Sequence, residues 1–252
     1  MSEARFEFTK ENIDIYLKEL AKSYRKLVGK GMPAEMILIG GASILINYGF
    51  RNMTTDIDAL IRAASGMKDA INFVRDKYEL SDGWLNDDFK KTDLYSDKLP
   101  QFSVYYKTYS NIVSIRTIAA EYLIAMKLRS GRLYKHDLSD VLGILAEHER
   151  KGVPITLERV KKAVNDLYGD WGSLPEKSGT FIEDVMAQGR FGELYEEIEG
   201  EEKAARTMLI RFEQNYPGVI KTDNVDEIIG NIKKADRADI LDKLKANRDH
   251  QQ

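Results

Sequence analysis

The sequence contains no cysteine and only three histidines, His136, His148 and His250, among its 252 residues. Without thiols the chain can form no disulfide, no thiolate zinc site, no iron–sulfur cluster and no cysteine nucleophile. Three scattered histidines argue against a histidine-rich metal centre. A metal site in this chain must therefore be built from carboxylates, which favours a hard ion such as Mg²⁺ or Mn²⁺.

The sequence also lacks a strong net charge, long apolar runs and proline-rich linkers. It has 38 Lys+Arg against 41 Asp+Glu and only 5 prolines. This balance excludes a basic surface over the whole protein, although a local basic groove stays compatible with it. No apolar run approaches the roughly 20 residues that span a bilayer, and the N-terminus has no apolar signal-peptide core. We therefore expect a cytoplasmic protein with no membrane partner.

Predicted strands lie in the first half of the chain and predicted helices fill the second half. The hydrophobic pattern predicts strands at 35–39, 56–62, 101–107 and 111–118, the last two joined by a turn at 108–110. This segregation indicates an α+β (α/β) fold, with a small sheet domain over 1–150 and a helical C-terminal domain over 151–252. Helices are predicted at 10–29, 66–78, 119–130, 136–149, 156–168, 180–199, 202–215, 224–234 and 236–247.

The stretch 79–100 is rich in turn residues and acidic residues. We expect it to be poorly ordered or a surface loop.

A strand–turn–helix junction is predicted at Gly40-Gly41-Ala42-Ser43, directly after an apolar strand. The free N–H groups at the start of a helix form an anion site, and the Ser43 hydroxyl could add a donor to a phosphate. The alternative is that the two glycines only allow a turn.

Asp56 and Asp58 flank Ile57 in a predicted strand that is otherwise apolar. Residues i and i+2 of a strand point to the same side, so both carboxylates project from one face while Ile57 turns into the core. Two like charges resist ionisation unless they share a cation, and a divalent metal provides one. The alternative is a solvent-facing strand end that tolerates two aspartates.

A phosphate-binding turn beside a metal-binding carboxylate pair is the arrangement that nucleotidyl transfer needs. The segment resembles the signature of the polymerase-beta-like nucleotidyltransferase superfamily, a Gly-Ser pair followed by Asp-x-Asp. It is most similar to the bacterial branch with the AbiEii-type abortive-infection toxins, whose pattern continues with Tyr-Gly-x-Arg and Thr-x-Asp-Ile-Asp. This chain has Tyr48-Gly49-Phe50-Arg51 and then Thr55 before Asp56, with Thr54 as the other candidate for the threonine.

A second part of the resemblance lies after residue 119. The branch usually has a lysine, an arginine and an Asp-x-x-Asp helix, and Lys127, Arg132, Asp137 and Asp140 match them. Lys127 has apolar neighbours one helical turn back, so its ammonium needs an anionic partner in the fold or in a ligand, unless it snorkels to the surface. Asp137 or Asp140 could orient Lys127 or Arg132. The alternative for Asp137 is a negative charge at the start of a helix that only interacts favourably with the helix dipole.

The resemblance implies an Mg²⁺- or Mn²⁺-dependent nucleotidyltransferase with a mixed sheet flanked by helices. It would move an NMP from an NTP to a hydroxyl or an RNA end. As a toxin of a toxin–antitoxin or phage-defence system, it would have a tRNA or a protein as acceptor and a cognate antitoxin as partner. The implied roles are metal binding and catalysis for Asp56 and Asp58, catalysis for Lys127, support from Asp137 and Asp140, and nucleotide binding by Gly40, Gly41, Ser43, Arg51, Thr55 and Arg132.

One feature of the superfamily is missing from the predicted strands, a third carboxylate on a later strand. The strands at 101–107 and 111–118 carry no acidic residue. The metal site is therefore a pair, or it takes a third ligand from the loop-like stretch, or the activity is reduced. The alternative function is a catalytically weak or inactive protein of this fold that binds a nucleotide or a protein. The acidic candidates in the loop-like stretch are Asp87, Asp88, Asp93 and Asp97.

Overall fold

The computed structural model describes residues 6–132, 134–221, 224–232 and 234. Five strands form a mixed sheet, and two short strands form a separate antiparallel ribbon. The sheet strands are β2 (Ala34–Leu38), β4 (Ile57–Arg62), β5 (Leu85–Asn86), β6 (Ser103–Tyr109) and β7 (Val113–Ile118), and the ribbon consists of β1 (Phe8–Thr9) and β3 (Met53–Thr54). The order across the sheet is β5-β4-β2-β7-β6.

Helices flank the sheet and make up most of the chain after β7. They are α1 (Lys10–Val28), α2 (Gly40–Asn47), α3 (Gly66–Tyr78), α4 (Ala120–Ser130), α5 (Asp137–Arg150), α6 (Leu157–Tyr168), α7 (Glu176–Gln188) and α8 (Phe191–Asn215), with a further helical stretch at 225–232. The predicted α+β fold with a helical C-terminal region is confirmed. Within the described residues, no helix has both the length and the apolar character needed to cross a bilayer.

The central strand β2 is buried on both faces. It pairs antiparallel with β4 and parallel with β7. Met36 and Leu38 pack into the core under α1 and α3, whereas Ile37 and Ile39 pack into the core under α4 and α5. Burial on both faces explains why this strand appears in the sequence as a continuous apolar run.

The core under α4 and α5 continues without a break into the C-terminal helices. It contains Ile37 of the sheet together with Leu123, Leu142, Val160 and Ile182 of the successive helices α4 to α7. The sheet and the helical region therefore share one body of packed side chains. The division at residue 150 stays a prediction.

The stretch 79–100 is not an unstructured loop. Trp84 and Leu85 are buried, and the Trp84 Nε1 donates a hydrogen bond to the Ile71 carbonyl at 3.2 Å. Strand β5 pairs parallel with β4 and places Asn86 opposite Asp58. The sequence pattern missed this edge strand because two residues are too short to show an alternation.

The prediction of a single helix over 180–199 is also wrong. Gly189 adopts a left-handed φ of 66° and separates α7 from α8, which continues through the predicted helix 202–215. A glycine in this conformation is a common helix end.

Other boundaries agree closely or shift slightly. Helix α1 ends at Gly29 as predicted, while the turn between β6 and β7 lies at Ser110 and Asn111 rather than at 108–110. The helix predicted at 224–234 corresponds to the helical stretch at 225–232, and the one predicted at 236–247 lies outside the described residues.

Candidate active site

Asp56 and Asp58 lie at the start of β4, where Ile57 between them is fully buried. Asp58 alternates with Ile57 and therefore lies on the same face as Leu60, which packs under α4 and α5. Asp56 is exposed and Asp58 is half-buried. In the part of the chain that the structure describes, neither carboxylate forms a salt bridge. This unpaired carboxylate pair is the central feature of the candidate site.

The surroundings of Asp58 make its negative charge unfavourable. Burial and the neighbouring Asp56 charge raise the pKa of Asp58, and the nearby Asn86 side chain together with the charges of Lys135 and Arg132 offsets this only in part. A bound cation would relieve the repulsion between the two carboxylates.

The donor set of the pair fits a hard divalent ion. Mg²⁺ is commonly held by one or two carboxylates, with waters and substrate phosphates as its other ligands. Across the described ranges, no group of three or more His, Cys, Asp or Glu residues is placed to hold a metal. Among the described residues, no acidic residue of the stretch 79–100 therefore joins the pair to form such a group. The exposed Asp87 and Asp88 contact Lys90 and Lys91 at 3.1 and 2.6 Å.

The glycine turn lies where β2 passes into α2. Gly40 has a left-handed φ of 54°, a conformation that favours glycine. At Gly41 a Cβ atom would lie 2.7 Å from the Thr54 Oγ1 and 3.0 Å from the Arg51 Nη2. Gly41 is therefore required by the close packing of the protein's own side chains, whether or not a nucleotide binds there.

Ser43 has a structural contact in this turn. Its side chain is fully buried, and its hydroxyl accepts a hydrogen bond from the Ile118 N–H at 3.2 Å. This bond joins α2 to β7 and gives no support to the phosphate contact predicted for Ser43. Thr55 is half-buried, and Thr54 donates a hydrogen bond to the Asp56 carbonyl at 3.2 Å.

Five charged side chains form an alternating row beside the carboxylate pair. Arg51 contacts Asp140 at 2.6 Å, Lys127 contacts Asp140 at 2.8 Å and Asp137 at 2.9 Å, and Arg132 contacts Asp137 at 2.8 Å. Both aspartates are almost completely buried, whereas the Arg132 side chain is 34% exposed. The row therefore ends in a cation that solvent or a ligand can reach.

The charges in this row stabilise one another. Burial would lower the pKa of Lys127, but Asp137 and Asp140 outweigh it and the pKa is raised. Burial likewise opposes ionisation of Asp137, yet Lys127 and Arg132 hold its pKa far below the usual range. Asp137 thus contacts both Lys127 and Arg132, and Asp140 contacts Lys127 and Arg51, while the orienting role predicted for one of these aspartates stays a prediction.

The Tyr48-Gly49-Phe50-Arg51 segment lies along one face of α5. The Tyr48 hydroxyl contacts the His148 Nε2 at 3.2 Å, and the Gly49 N–H donates to the Glu147 Oε2 at 3.0 Å. A Cβ atom at Gly143 would lie 2.6 Å from the Phe50 ring, and Arg51 binds Asp140. The matched motif therefore fixes the glycine turn relative to α5.

Two neighbours of the carboxylate pair had no role in the sequence prediction. Asn86 lies opposite Asp58 across β4 and β5. Partial desolvation by the surrounding protein and the Arg132 charge lower the pKa of Lys135, and the charges of Asp137 and Asp56 oppose this, which places Lys135 near the carboxylate pair. The sequence signal for Lys135 was its place between the matched Arg132 and Asp137, whereas no pattern pointed to Asn86.

One comparison with known proteins gives a family whose match spans this region. A family described as "Nucleotidyltransferase of unknown function (DUF6036)" matches residues 16–147, which include the glycine turn and both aspartate pairs. The match covers more than half of the chain, and the protein therefore belongs to this family and is a nucleotidyltransferase. Neither a curated protein nor a solved structure matched the chain.

Proposed function

We propose that this protein transfers an NMP from an NTP to an acceptor hydroxyl, with Mg²⁺ or Mn²⁺ held by Asp56 and Asp58. The observation that carries the proposal is the unpaired carboxylate pair on β4, close to the accessible cations Arg132 and Lys135. When bound, the metal neutralises phosphate charge and orients the triphosphate for attack by the hydroxyl.

The protein's own cations would bind the triphosphate. Arg132 is one-third exposed and Lys135 is exposed, and both lie close enough to Asp58 to affect its pKa. A guanidinium near the triphosphate stabilises the charge that develops on the leaving pyrophosphate. The N–H groups of Gly40 and Gly41 at the start of α2 would provide a further anion contact.

In this proposal Lys127 acts through other residues. Its ammonium already contacts Asp137 and Asp140, and its side chain is 12% exposed. These partners within the fold favour a positioning role over the catalytic role predicted from the sequence. Lys127 holds Asp137, and Asp137 in turn holds the Arg132 guanidinium toward the site.

The acceptor and the biological role rest on the resemblance of the motifs to AbiEii-type toxins alone. On that basis we extend the proposal to a tRNA end or a protein hydroxyl as acceptor. A role in the cytoplasm as a toxin, controlled by a cognate antitoxin, belongs to the same extension. The family match supports nucleotidyl transfer in general and does not distinguish this branch from others.

A second candidate function is a catalytically weak or inactive module that binds a nucleotide or a protein. The observation that favours it is the presence of only two carboxylates at the site in the described part of the chain. Such a module would bind an NTP without a metal, whereas transfer needs the metal at the carboxylate pair.

The test uses each of the four NTPs labelled at the α-phosphate, a cell extract and Mg²⁺ or Mn²⁺. We expect the label to enter one macromolecular or small-molecule fraction with the wild type, and Asp58→Asn to abolish this. Asp87→Asn is the matched control, since Asp87 is an exposed aspartate that pairs with Lys90. Metal-independent NTP binding without transfer of label would favour the second candidate.

A further inference from the structure

Helix α8 contacts the region around the start of α5 through one row of side chains. Tyr195, Glu202 and Arg206 are separated by seven and four residues, so they share a face of the helix. The Tyr195 hydroxyl donates to the Phe50 carbonyl at 3.4 Å, and the Arg206 Nε donates to the Tyr134 carbonyl at 3.4 Å. The C-terminal helical region thus contacts both segments that border the charged row.

Glu202 makes the central contact of this row. Its side chain is almost completely buried, and its Oε1 accepts hydrogen bonds from the Leu138 N–H at 2.9 Å and the Ser139 N–H at 3.4 Å. Its Oε2 accepts the hydroxyl proton of Ser139. These N–H groups belong to the first turn of α5, where backbone donors have no partner within the helix.

Helix α5 has no cap of its own at this end. His136 occupies the N-cap position and forms no side-chain cap hydrogen bond, because its Nε2 instead contacts the Arg206 Nη2 at 2.8 Å. Burial, Arg51 and Arg206 lower the pKa of His136 to about 4, so the ring is neutral and can accept this bond. Glu202 of α8 therefore caps the N-terminus of α5, a role that the side chain of a helix's own N-cap residue usually has.

The turn that Glu202 holds is the turn that carries the acidic members of the charged row. Asp137 is the first residue of α5 and Asp140 the fourth, and they bind Lys127, Arg132 and Arg51. A shift of this turn would move Asp137 and with it the Arg132 guanidinium.

We propose that Glu202 is a positioning residue for nucleotidyl transfer, through which α8 fixes the first turn of α5 and the cations that Asp137 and Asp140 hold. The expected effect of Glu202 on the reaction rate rests on the proposed function. Its expected effect on the first turn of α5 rests only on the hydrogen bonds of Glu202. It gives the C-terminal helical region a defined part in the reaction.

The test compares two replacements of Glu202. Glu202→Met keeps a similar volume and removes both acceptors, whereas Glu202→Gln keeps the Oε1 acceptor for the two N–H groups. Glu201→Met is the control for an exposed neighbour on α8. Val74→Ala, in the core under α3, is the control for a general loss of stability.

We expect Glu202→Met to lower kcat by about tenfold or more, because small displacements of binding groups are costly in the transition state. The KM for the NTP should change by less than about threefold, and Glu202→Gln should restore most of kcat. Both controls should keep kcat near the wild-type value, Val74→Ala despite a lower melting temperature. Wild-type kcat in a folded Glu202→Met variant would overturn the inference.

Amide hydrogen exchange of residues 137–140 provides a readout that needs no activity. We expect faster exchange in Glu202→Met and near wild-type exchange in Glu202→Gln, and equal exchange in all three proteins would overturn the inference. If Glu202→Met does not fold, Ser139→Ala serves as the second variant, because it removes one of the hydrogen bonds to Glu202. We expect Ser139→Ala to lower kcat and to speed exchange in the same way but less strongly. No effect of Ser139→Ala on either kcat or exchange would contradict the proposal. Absence of transfer in the wild type would refute the proposed function and leave the exchange result to decide on Glu202.

Discussion

The structure contains two pairs of aspartates with opposite surroundings. Asp56 and Asp58 on β4 form no salt bridge with any described residue, and burial with their mutual repulsion raises the pKa of Asp58. Asp137 and Asp140 on α5 are more deeply buried, yet three cations bind them, and the pKa of Asp137 is far below its usual range. Both pairs consist of aspartates, and the two pairs differ in the number of their cationic partners.

This difference separates charges that hold the fold together from charges that are available to a ligand. Removing a charge from the pair on α5 leaves buried cations without partners, which destabilises the folded state. Removing a charge from the pair on β4 relieves repulsion and leaves no cation unpaired. Variants of the two pairs should therefore separate activity from stability.

The largest effect is expected for Asp58→Ala. It should reduce nucleotidyl transfer by about 10³-fold or more, since the proposed metal site would lose one of its two carboxylates. The melting temperature should stay the same or rise, because a half-buried repelled charge is removed. Transfer rates and thermal melts at saturating Mg²⁺ check both parts, and wild-type transfer in this variant would show that the pair is not the metal site.

Lys127→Met should have the next largest effect, this time on stability. Asp137 and Asp140 would face each other without the ammonium between them, which costs about 3 kcal/mol and lowers the melting temperature by about 10 °C. Lys68→Met, an exposed lysine of α3, is the control. An unchanged melt would contradict the contacts of Lys127, and an unchanged kcat would remove it from the reaction.

Glu202→Gln should change how stability depends on pH. Burial raises the pKa of Glu202 to about 7, so the folded protein binds a proton that the unfolded chain has released above about pH 4.5. The contribution of Glu202 to wild-type stability therefore falls as pH rises from about 4.5 to 7, by up to about 3 kcal/mol. Glu202→Gln lacks this contribution and should gain stability relative to the wild type between pH 5 and pH 8.

The measurement for Glu202 is the difference in free energy of unfolding between variant and wild type at the two pH values. His136 has a pKa lowered to about 4, and its contribution is lost as pH falls below its unfolded value, so the slope of one protein alone is not informative. Glu201→Gln on the exposed face should show no such difference. A difference that stays constant from pH 5 to pH 8 would contradict burial of an ionising Glu202.

The smallest effect is expected for Arg132→Met. Asp137 keeps Lys127 as a partner, so stability should change little, while the KM for the NTP should rise by about tenfold as a phosphate contact is lost. Arg129→Met is the control, because Arg129 lies on α4 and contacts the Tyr168 ring. An unchanged KM and kcat would exclude Arg132 from the phosphate site.

Local parts of the site could be predicted from the sequence, because each depends on neighbouring residues. The glycine turn and the alternation around Ile57 follow from backbone conformation and strand periodicity. The ion pair between Arg51 and Asp140 joins residues 89 positions apart, and no pattern in the sequence reveals it. The resemblance named both residues but not their contact.

Two features could not be predicted for a different reason. Strand β5 has two residues, so Asn86 carried no signal of its position beside Asp58. Glu202 lies in a helix rich in exposed glutamates, and only the packing of α8 on α5 makes it a buried cap. The packing of α2 on β7 has a similar effect at Ser43, whose hydroxyl accepts a hydrogen bond from the Ile118 N–H instead of facing a ligand.

The most direct test of the account is the binding of Mn²⁺ measured by electron paramagnetic resonance in the presence of a non-hydrolysable NTP analogue. The wild type and the Asp87→Asn control should each bind Mn²⁺ in the ternary complex, and Asp58→Asn should lose this binding while keeping its melting temperature. Equal Mn²⁺ binding by Asp58→Asn and the wild type would contradict the claim that the unpaired carboxylates of β4 hold the metal.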